Sequence, residues 1–206
     1  MANKKTPEIR FESYSCDWST TPLRTYLTTS SNKNKDNAFS KEDVLSVSKE
    51  NGVVNQIEYQ GKSLAGASLT GYSIIGTNEI VYTKSPLRDQ PFGIIKTNTG
   101  LPGIVSALYA VYTPLENVEP SFVQAYFDSE DRLNDYLRPI VRKGAKNTLN
   151  IGNEDALAGD VSFPQKDEQK DIVELFNEID SLIALNEAKL EKLRQLKSAL
   201  LDKMFV

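Results

Sequence analysis

The last part of the chain, EQKDIVELFNEIDSLIALNEAKLEKLRQLKSALLDKMFV (residues 168–206), contains no glycine and no proline. Apolar side chains recur there at alternating steps of three and four residues, the period of a coiled-coil seam, with Asn186 and Lys197 at two seam positions. The other seam residues are Phe176, Ile179, Ile183, Leu190, Leu193, Leu200 and Met204. At 1.5 Å per residue, a helix through this segment would be about 60 Å long, twice the diameter of a small domain. We therefore predict a single long helix whose seam pairs with a partner helix.

Asn186 favours pairing between helices over packing of the segment on its own domain. Most amphipathic helices cover the domain that carries them, but this helix is too long to fold back completely. An asparagine in an apolar seam is costly, yet it can fix the register and orientation of two paired helices. The dimer interface is therefore predicted at the seam residues named above, Asn186 included.

The first half of the preceding chain has the pattern of short strands. A short amphipathic run around Leu23, Tyr26 and Leu27 predicts a short helix, and the polar segment 28–37 predicts a mobile surface loop. Between residues 44 and 111, β-rich runs alternate with glycine and proline, which indicates a succession of strands.

The second half of this part adds helix and a last strand. Residues 120–137 place aromatic and aliphatic side chains at helical spacings after Pro120, and a short edge strand is expected to end at Pro164. The predicted fold class is therefore α+β. A mixed α/β domain over residues 1–164 is followed by one long C-terminal coiled-coil helix over residues 165–206.

Composition excludes several classes of chemistry. The 206 residues include no histidine and a single cysteine, Cys16, so histidine-based catalytic triads and an intramolecular disulfide are impossible.

The net charge is −4, but residues 167–206 hold 6 basic and 9 acidic side chains, which leaves 18 basic and 19 acidic side chains in residues 1–166. A nearly neutral domain can still carry a basic face. Without an apolar span or a signal sequence, the chain is predicted to be cytoplasmic and not to bind membranes.

Catalytic motifs are weak in this sequence. Asp160, Glu168 and Lys170 resemble the two acids and lysine of metal-dependent nucleases, but the charges of Glu168 and Lys170 are also explained by a helix start. Neither a dinucleotide-binding glycine motif nor a phosphate-binding loop occurs. We therefore predict no metal site and no cofactor in this chain, and keep a metal-dependent nuclease as an alternative.

Two polar clusters predict DNA contacts. The first surrounds a glycine-containing turn and comprises Arg138, Arg142, Lys143, Lys146 and Asn147. The second comprises Lys84, Arg88, Lys96 and Asn98. Guanidinium and ammonium groups suit phosphates and guanine, and asparagine can bond the edge of adenine, so the mixture favours sequence recognition over simple charge attraction. A solvated turn is the alternative for each cluster.

Four segments of the sequence resemble the specificity subunits of type I restriction-modification systems. The segment IRFESYSCDW (residues 9–18), followed by PLRTYL, resembles the N-terminal segment of these proteins, and NEIVYTK (residues 78–84) resembles one of their strands. The end of their target recognition domain is similar to RKGAKNTLNIGNEDALAGDVSFPQKDEQKDI (residues 142–172). The spacer helix of the family is similar to the final helix, above all through KLEKLRQLKSALLDKMF (residues 189–205).

This resemblance implies a noncatalytic subunit that recognises double-stranded DNA. In the family, an adenine methyltransferase (M) subunit carrying S-adenosylmethionine and a translocating restriction (R) subunit perform the reactions. A usual subunit has two recognition domains and two antiparallel spacer helices, whereas this chain has one of each. We therefore expect a half-length form that pairs with a second copy of itself to recognise a bipartite target. A coiled-coil adaptor that never contacts DNA is the further alternative.

Overall fold

The computed structural model describes residues 6–86, 90–143 and 149–205, without the side chain of Lys143. The chain divides into two compact units, Met1–Gln169 and Lys170–Val206. The predicted boundary at residue 164 comes earlier than this division. The difference arises because Glu168 and Gln169, on the first turn of the final helix, are buried in the first unit.

The first unit contains twelve short strands within the part of the chain that the structure describes. They are β1 (Ser19–Pro22), β2 (Leu27–Thr29), β3 (Leu45–Ser48), β4 (Gly52–Asn55), β5 (Ser73–Ile75), β6 (Ile80–Tyr82), β7 (Ile95–Thr97), β8 (Gly103–Val105), β9 (Ala110–Pro114), β10 (Arg142–Lys143), β11 (Leu149–Asn150) and β12 (Asp160–Phe163). The α-helices in the described residues are α1 (Gln56–Gln60), α2 (Pro120–Phe127), α3 (Glu130–Leu137) and α4 (Lys166–Met204). The α+β fold class and the long C-terminal helix are therefore confirmed.

The strands pair in antiparallel fashion in several small sheets. The largest has four strands in the order β2-β9-β6-β7, and the pairs β1-β12, β3-β4, β5-β8 and β10-β11 form two-stranded sheets. The residues of β6 and β7 are all buried; β6 is a central strand with continuous Ile, Val and Tyr, and β7, at the edge of the sheet, packs against α2. Pairing of β1 with β12 joins the two ends of the domain, because these strands lie far apart in the sequence.

An aromatic cluster packs α2 against β12. The ring of Phe163 lies 5.0 Å from that of Phe122, 4.9 Å from that of Tyr126 and 4.7 Å from that of Tyr26, measured between centroids. Phe122 and Phe163 are buried, so these ring contacts form part of the core. The cluster fixes the end of β12, from which the chain continues into α4.

Two predicted helices differ from the structure. The predicted helix over residues 120–137 is broken after Phe127, because the hydroxyl of Ser129 caps a new helix by accepting a hydrogen bond from the Arg132 amide. Around Leu23, a single 3₁₀ turn, Leu23–Thr25, leads directly into β2. Leu23 and Leu27 are buried in the structure, as they would also be on the apolar face of a short helix. Their apolar spacing therefore could not distinguish a helix from a turn followed by a strand.

Candidate DNA interface

The basic turn after α3 presents exposed arginines. Arg138 is 66% exposed at the C-terminal end of α3, where its guanidinium lies 3.4 Å from the carboxylate of Asp135. Arg142 is exposed on β10 and is paired with Asn150 of β11. Pairing of β10 with β11 therefore places Arg142 in a two-stranded antiparallel sheet. Lys143 follows it in β10, and the predicted contacts Lys146 and Asn147 lie outside the described residues, as does Arg88.

The structure corrects two members of the second predicted cluster. Lys96 is 6% exposed on β7, and its ammonium group lies 2.5 Å from the carboxylate of Asp128. Asn98 is 1% exposed, and its amide group donates to the carbonyl oxygens of Gly76 and Leu101, both at 3.1 Å. Both polar groups are used inside the domain, so Lys96 and Asn98 are structural residues and not part of the interface.

Lys84 remains a candidate DNA contact. It follows β6 with a left-handed backbone conformation, φ 47°, which is uncommon for residues other than glycine. Its ammonium group donates to Oδ1 of Asn153 at 2.7 Å. Asn153 is held in turn by Tyr112, whose hydroxyl donates to the Asn153 carbonyl oxygen at 2.9 Å. Burial, followed by the charges of Tyr82 and Tyr136, raises the pKa of Tyr112, so its hydroxyl remains a hydrogen-bond donor.

The first turn of α4 is anchored by buried polar side chains that the sequence did not reveal. Glu168, 2% exposed, accepts hydrogen bonds from Nε and Nη2 of Arg10, both at 2.8 Å, and from Nε1 of Trp18 at 3.1 Å. Gln169, 0% exposed, accepts from the Glu119 amide at 2.8 Å and donates to the Pro164 carbonyl at 2.9 Å. The start of α4 is therefore bonded to the N-terminal segment and to the residues before α2.

This anchor gives Glu168, one of the two acids in the nuclease alternative, a structural role. Both carboxylate oxygens of Glu168 are bonded to Arg10 or Trp18, which is a structural arrangement for a buried acid. Asp160 lies exposed at the start of β12. Among the described residues, no group of three or more Cys, Asp or Glu side chains is placed to hold a metal ion.

The seam residues of α4 lie on its surface. The seven apolar members are between 41% and 71% exposed, and Asn186 donates to the carbonyl oxygen of Leu182 at 2.8 Å. Leu175, Leu182 and Leu196 add apolar surface beside the seam, at 42%, 58% and 55% exposure. No helix in the described parts of the chain has the length and apolar character needed to cross a membrane.

Comparison with known proteins gives a likeness of fold. No protein-family model and no curated protein sequence matches the chain. The HsdS subunit from Thermoanaerobacter tengcongensis matches 97% of this chain with a TM-score of 0.50 and 15% identity. A chain from a structure of complex assembly and conformational transition of the type I R-M system matches 93% of it, with a TM-score of 0.51 and 15% identity.

The matched proteins are longer than this chain. In both cases the match covers 47% of the other chain, so the present chain spans about half the length of these solved structures. The predicted resemblance to specificity (HsdS) subunits of type I restriction-modification systems is confirmed at the level of structure. The chain therefore has the fold of about one half of an HsdS-type protein.

Proposed function

We propose that this chain is a noncatalytic, sequence-recognising subunit of a type I restriction-modification system. The observation that carries the proposal is the likeness of nearly the whole chain, recognition domain and long helix together, to half of an HsdS-type protein. The domain would bind double-stranded DNA through Arg138, Arg142, Lys143 and Lys84. Lys146, Asn147 and Arg88 remain predicted contacts.

The proposed chemistry belongs to partner subunits. A methyltransferase subunit would supply S-adenosylmethionine and the methylated adenine, and a restriction subunit would cleave the DNA. The present chain would position them on the target. Phosphate contacts would fix its register on the duplex, and contacts to base edges would give the sequence preference.

We further propose that α4 pairs with α4 of a second copy. Exposed apolar side chains along a helix of 39 residues favour burial against another helix. A second copy offers the same seam, and two copies together would match the two halves of the longer HsdS-type chains.

The charges of α4 favour an antiparallel pair. Its first part carries seven acidic residues, Asp167, Glu168, Asp171, Glu174, Glu178, Asp180 and Glu187, against two bases, Lys166 and Lys170. Its last part carries five basic residues, Lys189, Lys192, Arg194, Lys197 and Lys203, against two acids, Glu191 and Asp202. In an antiparallel pair the acidic part of each helix faces the basic part of the other, whereas a parallel pair brings like charges together. The recognition domains, joined to the N-terminal ends of the helices, would then lie at opposite ends of the pair.

Reconstitution tests the proposed function. The purified chain is added to the methyltransferase subunit and S-adenosylmethionine, and adenine methylation is mapped on DNA of mixed sequence. We expect methylation confined to a bipartite site with two identical halves, and only when the chain is present. Methylation without sequence preference would favour the adaptor alternative. DNA cleavage by the chain alone with magnesium would favour the nuclease alternative, which the paired state of Glu168 does not support.

A further inference from the structure

The two-stranded sheet of β10 and β11 presents an arginine and an asparagine side by side. Arg142 and Asn150 are directly opposite each other in the antiparallel pairing, and both side chains are exposed. Side chains at opposite positions of such a pair lie on the same face, with Cβ atoms about 4.5–5.5 Å apart. Leu149, the residue before Asn150, belongs to the other face and is partly buried. Arg142 and Asn150 therefore share the outer face of the pair.

Neither of these two side chains is used inside the domain. Among the described residues, Arg142 and Asn150 form no side-chain hydrogen bond and no ion pair. Other arginines differ, because Arg10 is bonded to Glu168, and Arg132 donates to a backbone carbonyl oxygen at 3.0 Å. In the described structure, the five N–H donors of the Arg142 guanidinium and both polar atoms of the Asn150 amide thus remain available to a ligand.

Hydrogen bonds tie the residues beside this pair to the rest of the domain. Next to β10, Val141 is buried, and its amide donates to the carbonyl oxygen of Leu137 at 2.9 Å. Shortly after β11, the carbonyl oxygen of Asn153 accepts from the Tyr112 hydroxyl at 2.9 Å, and its side chain accepts from Lys84 at 2.7 Å. Both strands are thus attached to the domain close to the exposed pair, which lowers the entropy lost when the pair binds a ligand.

The dimensions and the chemistry of the pair match the major groove of DNA. That groove is about 12 Å wide and admits a two-stranded β-ribbon. Arginine can bond O6 and N7 of guanine, and asparagine can bond N6 and N7 of adenine, each through two hydrogen bonds. The separation of opposite side chains, about 5 Å, is comparable to the step of about 3.4 Å between stacked base pairs. The two side chains can therefore reach neighbouring base pairs.

We propose that β10 and β11 enter the major groove, where Arg142 reads a guanine and Asn150 reads an adenine in neighbouring base pairs of one half-site. This role rests on the proposed function, because it takes the ligand to be the duplex DNA of the target. Asn150, which is not among the predicted contacts, thereby becomes a specificity-determining residue. Arg142 is assigned to a base and not to a phosphate.

Mapping of methylated sites tests the two roles. The full-length chain or a variant is combined with the methyltransferase subunit and S-adenosylmethionine, and the half-site is derived from the sequences methylated in a random library. We expect Asn150→Ala to lower the preference for adenine at one position by about 5- to 150-fold, the range for one bidentate base contact, and to keep the other positions. Arg142→Ala should lower the preference for guanine at the neighbouring position by a similar factor.

Two variants serve as matched controls. Asn51→Ala removes an exposed asparagine just before β4, and Lys62→Ala removes an exposed positive charge after α1. Neither should change the half-site. Because Arg142 and Asn150 are exposed, their alanine variants should unfold at nearly the same temperature as the unmodified chain, which circular dichroism checks.

A modified base tests the groove directly. 7-Deazaadenine lacks the N7 acceptor but still pairs with thymine, so it alters the duplex in the major groove. Placed at the position assigned to Asn150, it should weaken binding of the unmodified complex, measured by fluorescence anisotropy, and cause no further loss with Asn150→Ala. An equal loss with both proteins would overturn the assignment of Asn150 to this base.

The same measurements separate this role from the proposed function. A half-site that is unchanged in both alanine variants would overturn the inference and leave the proposed function intact. An unchanged half-site with uniformly weaker binding of Arg142→Ala, and a salt slope reduced by about 0.9, would make Arg142 a phosphate contact and overturn its assignment to a base. Methylation without sequence preference by the unmodified complex would overturn the proposed function, and the inference with it.

Discussion

Arg10 and Glu168 show how a single ion pair ties the N-terminal segment to the beginning of α4. The two residues are 158 positions apart, and Glu168 is buried while Arg10 is only slightly exposed. The guanidinium also donates to the carbonyl oxygen of Cys16 at 2.6 Å, so Arg10 closes a turn of its own segment as it holds the helix. Removing one partner would leave the other with unpaired polar atoms, which is costly in a buried position.

Glu168→Ala should therefore lower the midpoint of thermal unfolding by several degrees, because Arg10 and Trp18 lose their acceptor. Glu168→Gln should cost less, since its amide oxygen can still accept one of these bonds. Glu174→Ala, which removes an exposed acid from the same helix, serves as the control and should change the midpoint little. Equal midpoints for Glu168→Ala and Glu174→Ala would show that the anchor does not stabilise the domain.

Gly103 is required by close packing of β8. A Cβ atom at this position would lie 2.5 Å from the carbonyl oxygen of Asp43 and 2.8 Å from Cγ of Leu45. The first contact is with backbone, which cannot rotate away. Gly103→Ala should therefore destabilise the protein by about 1–3 kcal/mol, measured by urea unfolding.

The control for this substitution is Gly66→Ala, because a Cβ atom at Gly66 meets no atom within 4 Å and its backbone is not left-handed. The two variants add the same methyl group to the same protein. If both left the free energy of unfolding unchanged, the packing of β8 against Asp43 would be looser than the structure indicates.

At the scale of elements, α4 combines a strong local helix signal with two polar seam positions, Asn186 and Lys197. In the described structure Asn186 bonds within its own helix, to the carbonyl oxygen of Leu182. In a helix pair, the same amide could bond across the seam and favour one register over others. Asn186→Leu should therefore tighten association while allowing additional oligomeric states, as observed by sedimentation velocity. A single dimeric species with unchanged affinity would mean that Asn186 does not select the register.

The proposed antiparallel orientation has a direct test at the same scale. Phe205→Cys is introduced in a Cys16→Ser background, which leaves one thiol near the C-terminal end of α4. In an antiparallel pair these thiols would be separated by most of the length of the helix, about 60 Å, and mild oxidation should not join them. Sedimentation under reducing conditions must show that the variant still forms a dimer. Rapid formation of a disulfide-linked dimer would support a parallel pair instead.

At the scale of the whole molecule, the length of α4 should determine the spacing of the DNA target. Inserting seven residues near Asn186 preserves the seam and lengthens each helix by about 10 Å. In an antiparallel dimer that pairs over the longer overlap, the recognition domains would separate by about 3 base pairs. Methylation by the reconstituted complex, assayed on a library with varied spacers, should select identical half-sites with a wider gap.

Rotation around the duplex accompanies any change in separation, so we expect the total activity of the insertion variant to fall even where a wider spacer is selected. The informative quantity is therefore the spacer among the methylated sites. Selection of the original spacer by a variant that remains dimeric would contradict the role of α4 in setting the distance.

Local sequence was sufficient for the elements that depend on neighbouring residues. The heptad period and the absence of glycine and proline predicted α4, because helix formation and a helical seam depend on side chains three and four positions apart. Pro120 likewise marked the start of α2. The strands over residues 44–111 followed from β-branched runs between turn residues.

Tertiary structure decided which polar side chains are available to a ligand. Lys96 and Asn98 had the composition of a binding cluster, but their strand and turn are buried and their polar atoms find partners inside the domain. Asn34 is a similar case. Its segment was predicted to be a mobile loop because it contains no apolar residue. In the structure the Asn34 side chain is buried, donates to the carbonyl oxygen of Phe39 and accepts a hydrogen bond from the amide of Phe39.

The sequence by itself determined the α+β class, the long helix and its seam, because each depends on residues that are close to one another along the chain. Only the fold brought Arg10 to Glu168 and Lys84 to Asn153. Burial and charge interactions depend on distance in space, and residues far apart in sequence become neighbours only when the strands have paired.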